Sequence, residues 1–182
     1  MSLPSASQTH DPNALARQAI STFLADLAAS PPWDVTRSAA LVRPADVALI
    51  APAEGAIYGL MTRIAAAEWR PEPALILPGA VREGLLRGPH AAAIEAVALR
   101  LTGARGEPLR LATSREDVAA VVLRSKADTC RYALTEAATA GHETLAAELV
   151  TACEGLLAAA RDFERVRGGD AVPLSIAGGG AA

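Results

Sequence analysis

Apolar residues recur at helical spacing near the start of the chain. Asp11-Pro12 is typical of a helix cap followed by proline at the first helical position. An apolar stripe follows and ends before Pro31-Pro32. The stripe comprises Leu15, Ile20, Phe23, Leu24 and Leu27. The pattern therefore predicts an amphipathic first helix, and a shorter helix is expected around residues 36–42.

The last third of the chain predicts two long helices. Ser114-x-x-Asp117 resembles a capping box, with aspartate in place of the usual glutamate or glutamine, and a helix should run from there to about residue 140. Gly141 is a helix breaker, and a second helix is expected over residues 143–167. Folding the chain back at Gly141 makes the two helices an antiparallel hairpin.

The hairpin has a specific register in which facing residues have numbers that sum to about 283. Each helix then offers six small or apolar residues at alternating spacings of three and four, as in a coiled-coil seam. On the first helix these are Ala120, Leu123, Ala127, Cys130, Leu134 and Ala137, and their partners are Phe163, Ala160, Leu156, Cys153, Leu149 and Ala146. The register places Cys130 opposite Cys153. We interpret them as two small apolar residues in a reduced core, the alternatives being a redox pair or half of a soft-metal site.

The middle of the chain is ambiguous between helix and strand. Short apolar runs at 47–51, 74–77 and 109–112 are each followed by a helical pattern, which is also what a strand–helix alternation would show. The runs contain few β-branched residues, so periodicity does not separate strand from buried helix. The predicted fold is mainly α, with the C-terminal hairpin packed on a middle section that has room for a small sheet. The alternative is an α/β fold with a short parallel sheet formed by these three runs.

Composition sets the domain organisation. We expect a tail at residues 1–10, one globular domain at 11–169, and a second tail at 170–182, which is rich in glycine and alanine. The mean hydropathy is +0.24, but alanine dominates the apolar fraction, and no apolar run approaches the roughly 18 residues of a membrane helix. The start of the chain does not resemble a signal peptide, and two cysteines do not make a disulfide framework. We therefore expect a cytoplasmic protein without membrane association.

Charge and motifs narrow the functional classes. The net charge is −3 and aromatic residues make up 3%, whereas nucleic-acid binders are usually basic and often carry stacking aromatics, so no nucleic-acid partner is expected. The chain lacks phosphate-binding glycine loops, serine-hydrolase elbows, zinc-protease motifs and paired CxxC cysteines. We predict no cofactor and no metal site, and whether the protein is an enzyme stays open.

One segment has the chemistry of an anion site. The run ending at residue 112 delivers Ser114 to the start of a long helix, with Arg110 and Arg115 on either side. Helix starts attract anions through their free N–H groups and the helix dipole. The alternative interpretation is that Ser114 caps its own helix while the arginines are solvated.

Two functions from different classes follow. The first is a non-catalytic accessory or adaptor protein, a small subunit or assembly factor, that acts through helical contacts with a protein partner or as a homo-oligomer. The second is a small-molecule binding protein or an enzyme, with its site at helix starts near Gly55, Gly79 and Ser114. A parallel sheet in the middle section would bring these positions to one edge, where α/β folds bind ligands.

Overall fold

The computed structural model describes residues 12–167, and their regular structure is entirely helical. The α-helices are α1 (Pro12–Ala29), α2 (Pro32–Leu41), α3 (Pro44–Ile50), α4 (Pro52–Ala66), α5 (Pro73–Arg82), α6 (Ala91–Gly103), α7 (Leu111–Thr139) and α8 (Glu143–Arg167). Two 3-10 turns, Leu85–Arg87 and Pro108–Arg110, lie between them. The prediction of a mainly α protein is confirmed. Between residues 12 and 167, no helix is both long and apolar enough to cross a membrane.

The predicted sheet is wrong, because the described residues contain no strand. The run 47–51 lies in α3 and the residue after it, the run 74–77 lies in α5, and the run 109–112 lies in a 3-10 turn and the start of α7. Each run follows a proline at a helix start, namely Pro44, Pro73 and Pro108. Proline fixes φ near the helical value, and its missing N–H costs nothing in a first turn. These prolines therefore start helices, and the alternative of an α/β fold built from the three runs is wrong for the described residues.

The predicted capping box at Ser114 is also wrong. Helix α7 begins at Leu111, so Ser114 lies inside its first turns, and the Ser114 hydroxyl donates to the carbonyl of Leu111 over 3.3 Å. The helix expected at 36–42 is α2, which begins earlier, at Pro32. The predicted cap at Asp11 and both predicted tails lie outside the described residues.

The core forms where α1, α4 and α7 meet. Phe23 of α1 and Tyr58 of α4 are fully buried, and their rings meet edge to face with centroids 5.2 Å apart. Val118 and Val122 of α7 close this cluster. The other fully buried large side chains are Ile20, Leu24, Leu27, Ile57, Leu60, Met61, Ile76, Val35, Val42 and Val47. This packing explains why helices as short as α3 are stable, because tertiary burial supplies what local propensity does not.

Two glycines allow helices and turns to approach closely. A Cβ added at Gly55 in α4 would lie 2.5 Å from the backbone of Ala48 in α3. A Cβ added at Gly106 would lie 1.8 Å from the carbonyl oxygen of Ala25 in α1. Any side chain at these positions would force the backbones apart. Gly106 thus brings the segment before α7 directly against α1.

Helices α7 and α8 lie side by side, and α7 is the main neighbour of α8. The connection passes through Gly141, whose φ is 75°, a left-handed conformation that glycine adopts without strain. The core cluster includes α7 only as far as Val122. Beyond that residue, the buried side chains of the pair are small: Ala127, Ala137, Cys153 and Ala160. Leu134 and Leu149 are partly buried, less than a central core position would require.

Candidate functional site

Arg110 is held by a buried carboxylate. Its Nε and Nη2 donate to the two carboxylate oxygens of Asp26 over 3.0 and 2.8 Å, and the backbone N–H of Glu107 donates to the same group over 2.8 Å. Asp26 is fully buried, and its hydrogen bond to Arg110 holds the pKa of the guanidinium above its ordinary value. The arginine therefore neutralises Asp26 and ties α1 to the turn before α7.

The structure separates the other two predicted anion-site residues. Ser114 is buried, and its hydroxyl is engaged by the carbonyl of Leu111. Arg115 is partly exposed and lines a groove that includes neither Arg110 nor Ser114. Of the predicted set, Arg115 lines this groove, together with Lys126, the only lysine of the sequence.

This cavity, the α7 groove, has a volume of about 310 Å³. Its walls come from the end of α2 and the residue after it, from α3, from α7 between residues 115 and 126, and from the last turns of α8. It is lined by Leu41, Val42, Asp46, Arg115, Glu116, Ala119, Val122, Leu123, Lys126, Ala159 and Phe163. The groove thus combines an apolar floor with a few charged groups, as ligand-binding cavities commonly do.

Asp46 organises the charges of the α7 groove. Arg43 donates through Nε and Nη2 to its two carboxylate oxygens, each over 3.1 Å, and the Nζ of Lys126 lies 3.0 Å from Oδ2. Burial tends to raise the pKa of Asp46, but the hydrogen bonds and charges of Arg43 and Lys126 outweigh it and hold the pKa below its ordinary value. One carboxylate therefore has two cationic partners.

Tyr58 places a polar atom in the core. Its hydroxyl is buried and has no hydrogen-bond partner within the described part of the chain. Burial raises the pKa of this phenol far above its ordinary value, and the positive charge of Arg115 opposes the shift. Such a hydroxyl stays protonated at physiological pH, so it is not an available base.

The two glycines predicted near a site have different surroundings. Gly55 lies in the first turn of α4, where Ala48 fills the space in front of it. Gly79 is not at a helix start, because it lies well inside α5. It lines a second cavity of about 480 Å³ between α4 and α5, the Trp69 cleft. This cleft is lined by Arg63, Ile64, Ala67, Trp69, Leu75, Pro78, Gly79, Arg82 and Glu83.

The end of α4 separates the Trp69 cleft from a broader depression, the Trp33 groove. That groove has a volume of about 850 Å³ and is lined by Pro32, Trp33, Thr36, Arg37, Ala40, Ala65, Ala66 and Glu68. Trp33 is 70% exposed and Trp69 is 64% exposed, and they are the only tryptophans in the sequence. We call the surface formed by the Trp69 cleft and the Trp33 groove the tryptophan face.

A strained residue positions Trp69. Glu68 has a φ of 63°, the only positive φ of a non-glycine residue between 12 and 167. Its N–H donates to the carbonyl of Ala65 over 2.9 Å, and the N–H of Trp69 donates to that of Ile64 over 3.2 Å. These two bonds form a Schellman cap, whose left-handed position is normally glycine. The cap turns the chain sharply out of α4 and directs Trp69 to the surface.

Charged side chains surround the apolar part of the Trp69 cleft. Arg63 and Glu83 form a bidentate ion pair that links α4 to the end of α5. Arg82 is exposed and makes no ion pair with any described residue. The cleft therefore has an apolar floor and a mixed polar edge.

The cysteines lie close together between α7 and α8. The thiol of Cys130 donates to the carbonyl of Leu149 over 3.3 Å, and that of Cys153 donates to the carbonyl of Ala127 over 3.5 Å. Burial, followed by the proximity of Cys153, raises the pKa of Cys130. The thiol of Cys130 is therefore a poor nucleophile in the reduced protein. Within the described residues, no three His, Cys, Asp or Glu side chains are grouped as a metal site would require.

In the part of the chain that the structure describes, these observations define an all-helical protein with two exposed tryptophans and one charged interhelical groove. Comparison of the chain with protein-family models, curated proteins and solved structures finds no match. The function is therefore argued from the surface itself.

The sequence analysis missed the tryptophan face and the α7 groove. A local signal for the face was present, since Trp33 stands between Pro32 and Asp34, and Trp69 between two charged residues. A large aromatic in the first turn of a helix, as Trp33 is, or between two helices, as Trp69 is, has few positions from which to reach a core. The groove had no comparable signal, because Asp46 and Lys126 meet only in the tertiary structure.

Proposed function

We propose that this protein is a non-catalytic accessory or adaptor protein, a small subunit or an assembly factor, that holds a protein partner through its helical surface. The observation that carries the proposal is the exposure of Trp33 and Trp69, each in an apolar depression beside the end of α4. Tryptophan is among the residues most enriched at the energetic centres of protein interfaces.

The exposure of the two tryptophans leaves apolar surface in water that burial would stabilise. The sequence contains six aromatic residues, and the core uses Phe23 and Tyr58 while both tryptophans stay outside. Burying a large apolar side chain is worth about 1.5–3 kcal/mol, so a chain so poor in aromatics forgoes a substantial stabilisation here. A partner that covers both indoles would recover it as binding energy.

The surroundings of the indoles fit an interface. Apolar floors at Ala65, Ala66, Leu75 and Pro78 lie next to charged groups such as Arg37. Stable interfaces show the same arrangement, with an apolar centre inside a polar rim. The Schellman cap fixes the backbone that carries Trp69, which lowers the ordering cost of association.

We further propose that α7 and α8 form an antiparallel hairpin in the register that pairs residues summing to about 283. Several observations support it. The thiols of Cys130 and Cys153 reach carbonyls on the opposite helix, at Leu149 and Ala127, contacts that lie within about one helical turn of the proposed register. The buried residues of α8 within the described range, Cys153 and Ala160, are both seam positions. The hairpin extends beyond the core and offers a second helical surface to a partner or to another copy of the chain.

The test is affinity capture from the source cell with matched variants. Trp33→Ala, Trp69→Ala and the double variant are compared with Tyr132→Ala, which removes an aromatic that is also 70% exposed but lies on α7. The proposal expects a specific co-purifying protein that each tryptophan variant weakens by at least about tenfold, since central interface residues cost about 2 kcal/mol or more. The Tyr132→Ala variant should retain the co-purifying protein at the wild-type level.

Two outcomes would contradict the proposal. One is a partner whose recovery is unaffected by the double variant although the variant is folded by circular dichroism. The other is a monomer in sedimentation that captures nothing above the untagged background. A homo-oligomer that the double variant converts to monomer would instead identify the partner as a second copy of the chain.

A further inference from the structure

We propose that the α7 groove binds a small organic carboxylate with a compact apolar body of one or two rings. The body would lie on the apolar floor of the groove, and the carboxylate would meet Arg115 and Lys126. This ligand site is independent of the tryptophan face, because the groove shares no lining residue with the Trp69 cleft or the Trp33 groove.

The walls of the groove suit an apolar body. Val42 and Val122 form a buried floor, while Leu41 and Phe163 stand at the edges with 63% and 36% of their surface exposed. A ligand between them would cover apolar surface that the fold leaves in water. The volume of about 310 Å³ is at the lower end of the range of about 300–1,000 Å³ typical of small-molecule sites. A compact body of one or two rings suits this volume.

The charged side chains in and beside the groove favour a ligand with a single negative charge. Two acidic side chains, Asp46 and Glu116, are opposed by Arg115, Lys126 and the Arg43 that pairs with Asp46. The cluster therefore carries one positive charge in excess. Because Arg43 already neutralises Asp46, Lys126 can share its Nζ protons with a second carboxylate without leaving Asp46 unpaired. A doubly charged phosphate would need more cations than the groove supplies.

The position of the groove gives such a ligand a structural effect. Helix α8 packs mainly on α7, yet its Ala159 and Phe163 line the groove together with Leu41 at the end of α2 and Val42 just after it. A bound ring would bridge α8 to the core. Binding should therefore stabilise the end of α8 as well as the protein as a whole.

The sequence provides a convenient reporter, because Lys126 is its only lysine. Protein labelled with ¹³C and ¹⁵N at lysine alone gives one set of lysine signals. The full chain is titrated with 2-naphthoate and, as the matched neutral probe, with 2-naphthamide. The proposal expects a saturable shift of the Lys126 Cε–Hε signal with naphthoate, and an affinity at least about tenfold weaker for the amide, since charge-assisted hydrogen bonds contribute about twice as much as neutral ones.

Two variants test the two halves of the site by calorimetry with the same probe. Arg115→Gln should weaken naphthoate about tenfold, and Phe163→Ala about fivefold, with thermal midpoints confirming that both fold. Arg87→Gln is the control, because Arg87 lies in a 3-10 turn outside the groove. Equal affinity for acid and amide would overturn the proposal. So would an unchanged affinity in Arg115→Gln, or the absence of any saturable shift at millimolar naphthoate.

Discussion

Replacing Glu68 by glycine tests whether the end of α4 is strained in the folded protein. Glu68 has a φ of 63° at the position of a Schellman cap where glycine is the usual residue. In this conformation the Cβ crowds the following carbonyl, and glycine has no Cβ. The substitution should therefore stabilise the protein, which is unusual for a change to glycine.

The magnitude is the difference between two opposing effects. A left-handed conformation costs a non-glycine residue about 1–2 kcal/mol. Glycine loses more conformational freedom on folding than other residues, which offsets about 0.5–1 kcal/mol of the gain. The expected net stabilisation of Glu68→Gly is about 0.5–1 kcal/mol, or a rise of about 1–4 °C in the thermal midpoint of a protein this size.

Chemical denaturation and a thermal melt measure the effect, with two controls. Glu68→Ala keeps the strain and should stay within about 0.5 kcal/mol of the wild type. Gly141 has a φ of 75°, and a Cβ added there meets no atom within 4 Å, so Gly141→Ala should destabilise by about 0.5–1 kcal/mol through the backbone alone. If Glu68→Gly is neutral or destabilising while Gly141→Ala behaves as expected, the reasoning about the cap is refuted.

Three further predictions concern packing, redox chemistry and pH. Each of the variants Leu134→Ala and Leu149→Ala should lower the free energy of unfolding by about 1–3 kcal/mol, because both side chains are partly buried. If the two side chains touch, the effect of the double variant should depart from the sum of the single effects by more than about 0.5 kcal/mol. Additive effects in denaturant melts would refute the register. Mild oxidation by a small disulfide should cross-link Cys130 to Cys153, seen as a loss of two hydrogens in the intact mass, whereas two thiols that both stay open to alkylation would contradict their proximity. The pKa of Asp46 is lower in the folded than in the unfolded protein, so the ionised carboxylate stabilises the fold above the unfolded pKa, and this stabilisation is lost as the pH falls through the folded pKa. The difference in unfolding free energy between wild type and Asp46→Asn should therefore shrink in acid. A difference that stays constant with pH would contradict this.

The spacing of apolar residues was sufficient to predict the helical class and the approximate extent of α1, α7 and α8, although α7 begins three residues earlier than predicted. It failed in the middle section because apolar runs of four or five residues fit strand and helix equally well. Pro44, Pro73 and Pro108 contained the missing information. A proline directly before an apolar run, or three residues before it as at Pro44, is a helix-start signal, and it should have outweighed the strand interpretation.

The site was predicted less well, for reasons of tertiary geometry. Ser114 and the two arginines were grouped because they are adjacent in sequence, but a helix turns neighbours to different sides. Arg110 instead pairs with Asp26, which is distant in sequence, and Arg115 lines the α7 groove together with Lys126. A buried acid inside the apolar stripe of α1 is a local anomaly that predicts a distant cationic partner, and Asp26 could have been recognised in this way.

The most direct test of the partner-binding account is site-specific photo-crosslinking in the source cell. A photoreactive phenylalanine analogue replaces Trp33, Trp69 or Tyr132 in turn, all of which are at least 64% exposed in the structure. The account predicts that the analogue at position 33 and the analogue at position 69 crosslink to the same protein, and that the analogue at position 132 does not crosslink to that protein. Adducts to unrelated proteins at the two tryptophan positions, or a specific partner captured only from position 132, would contradict it.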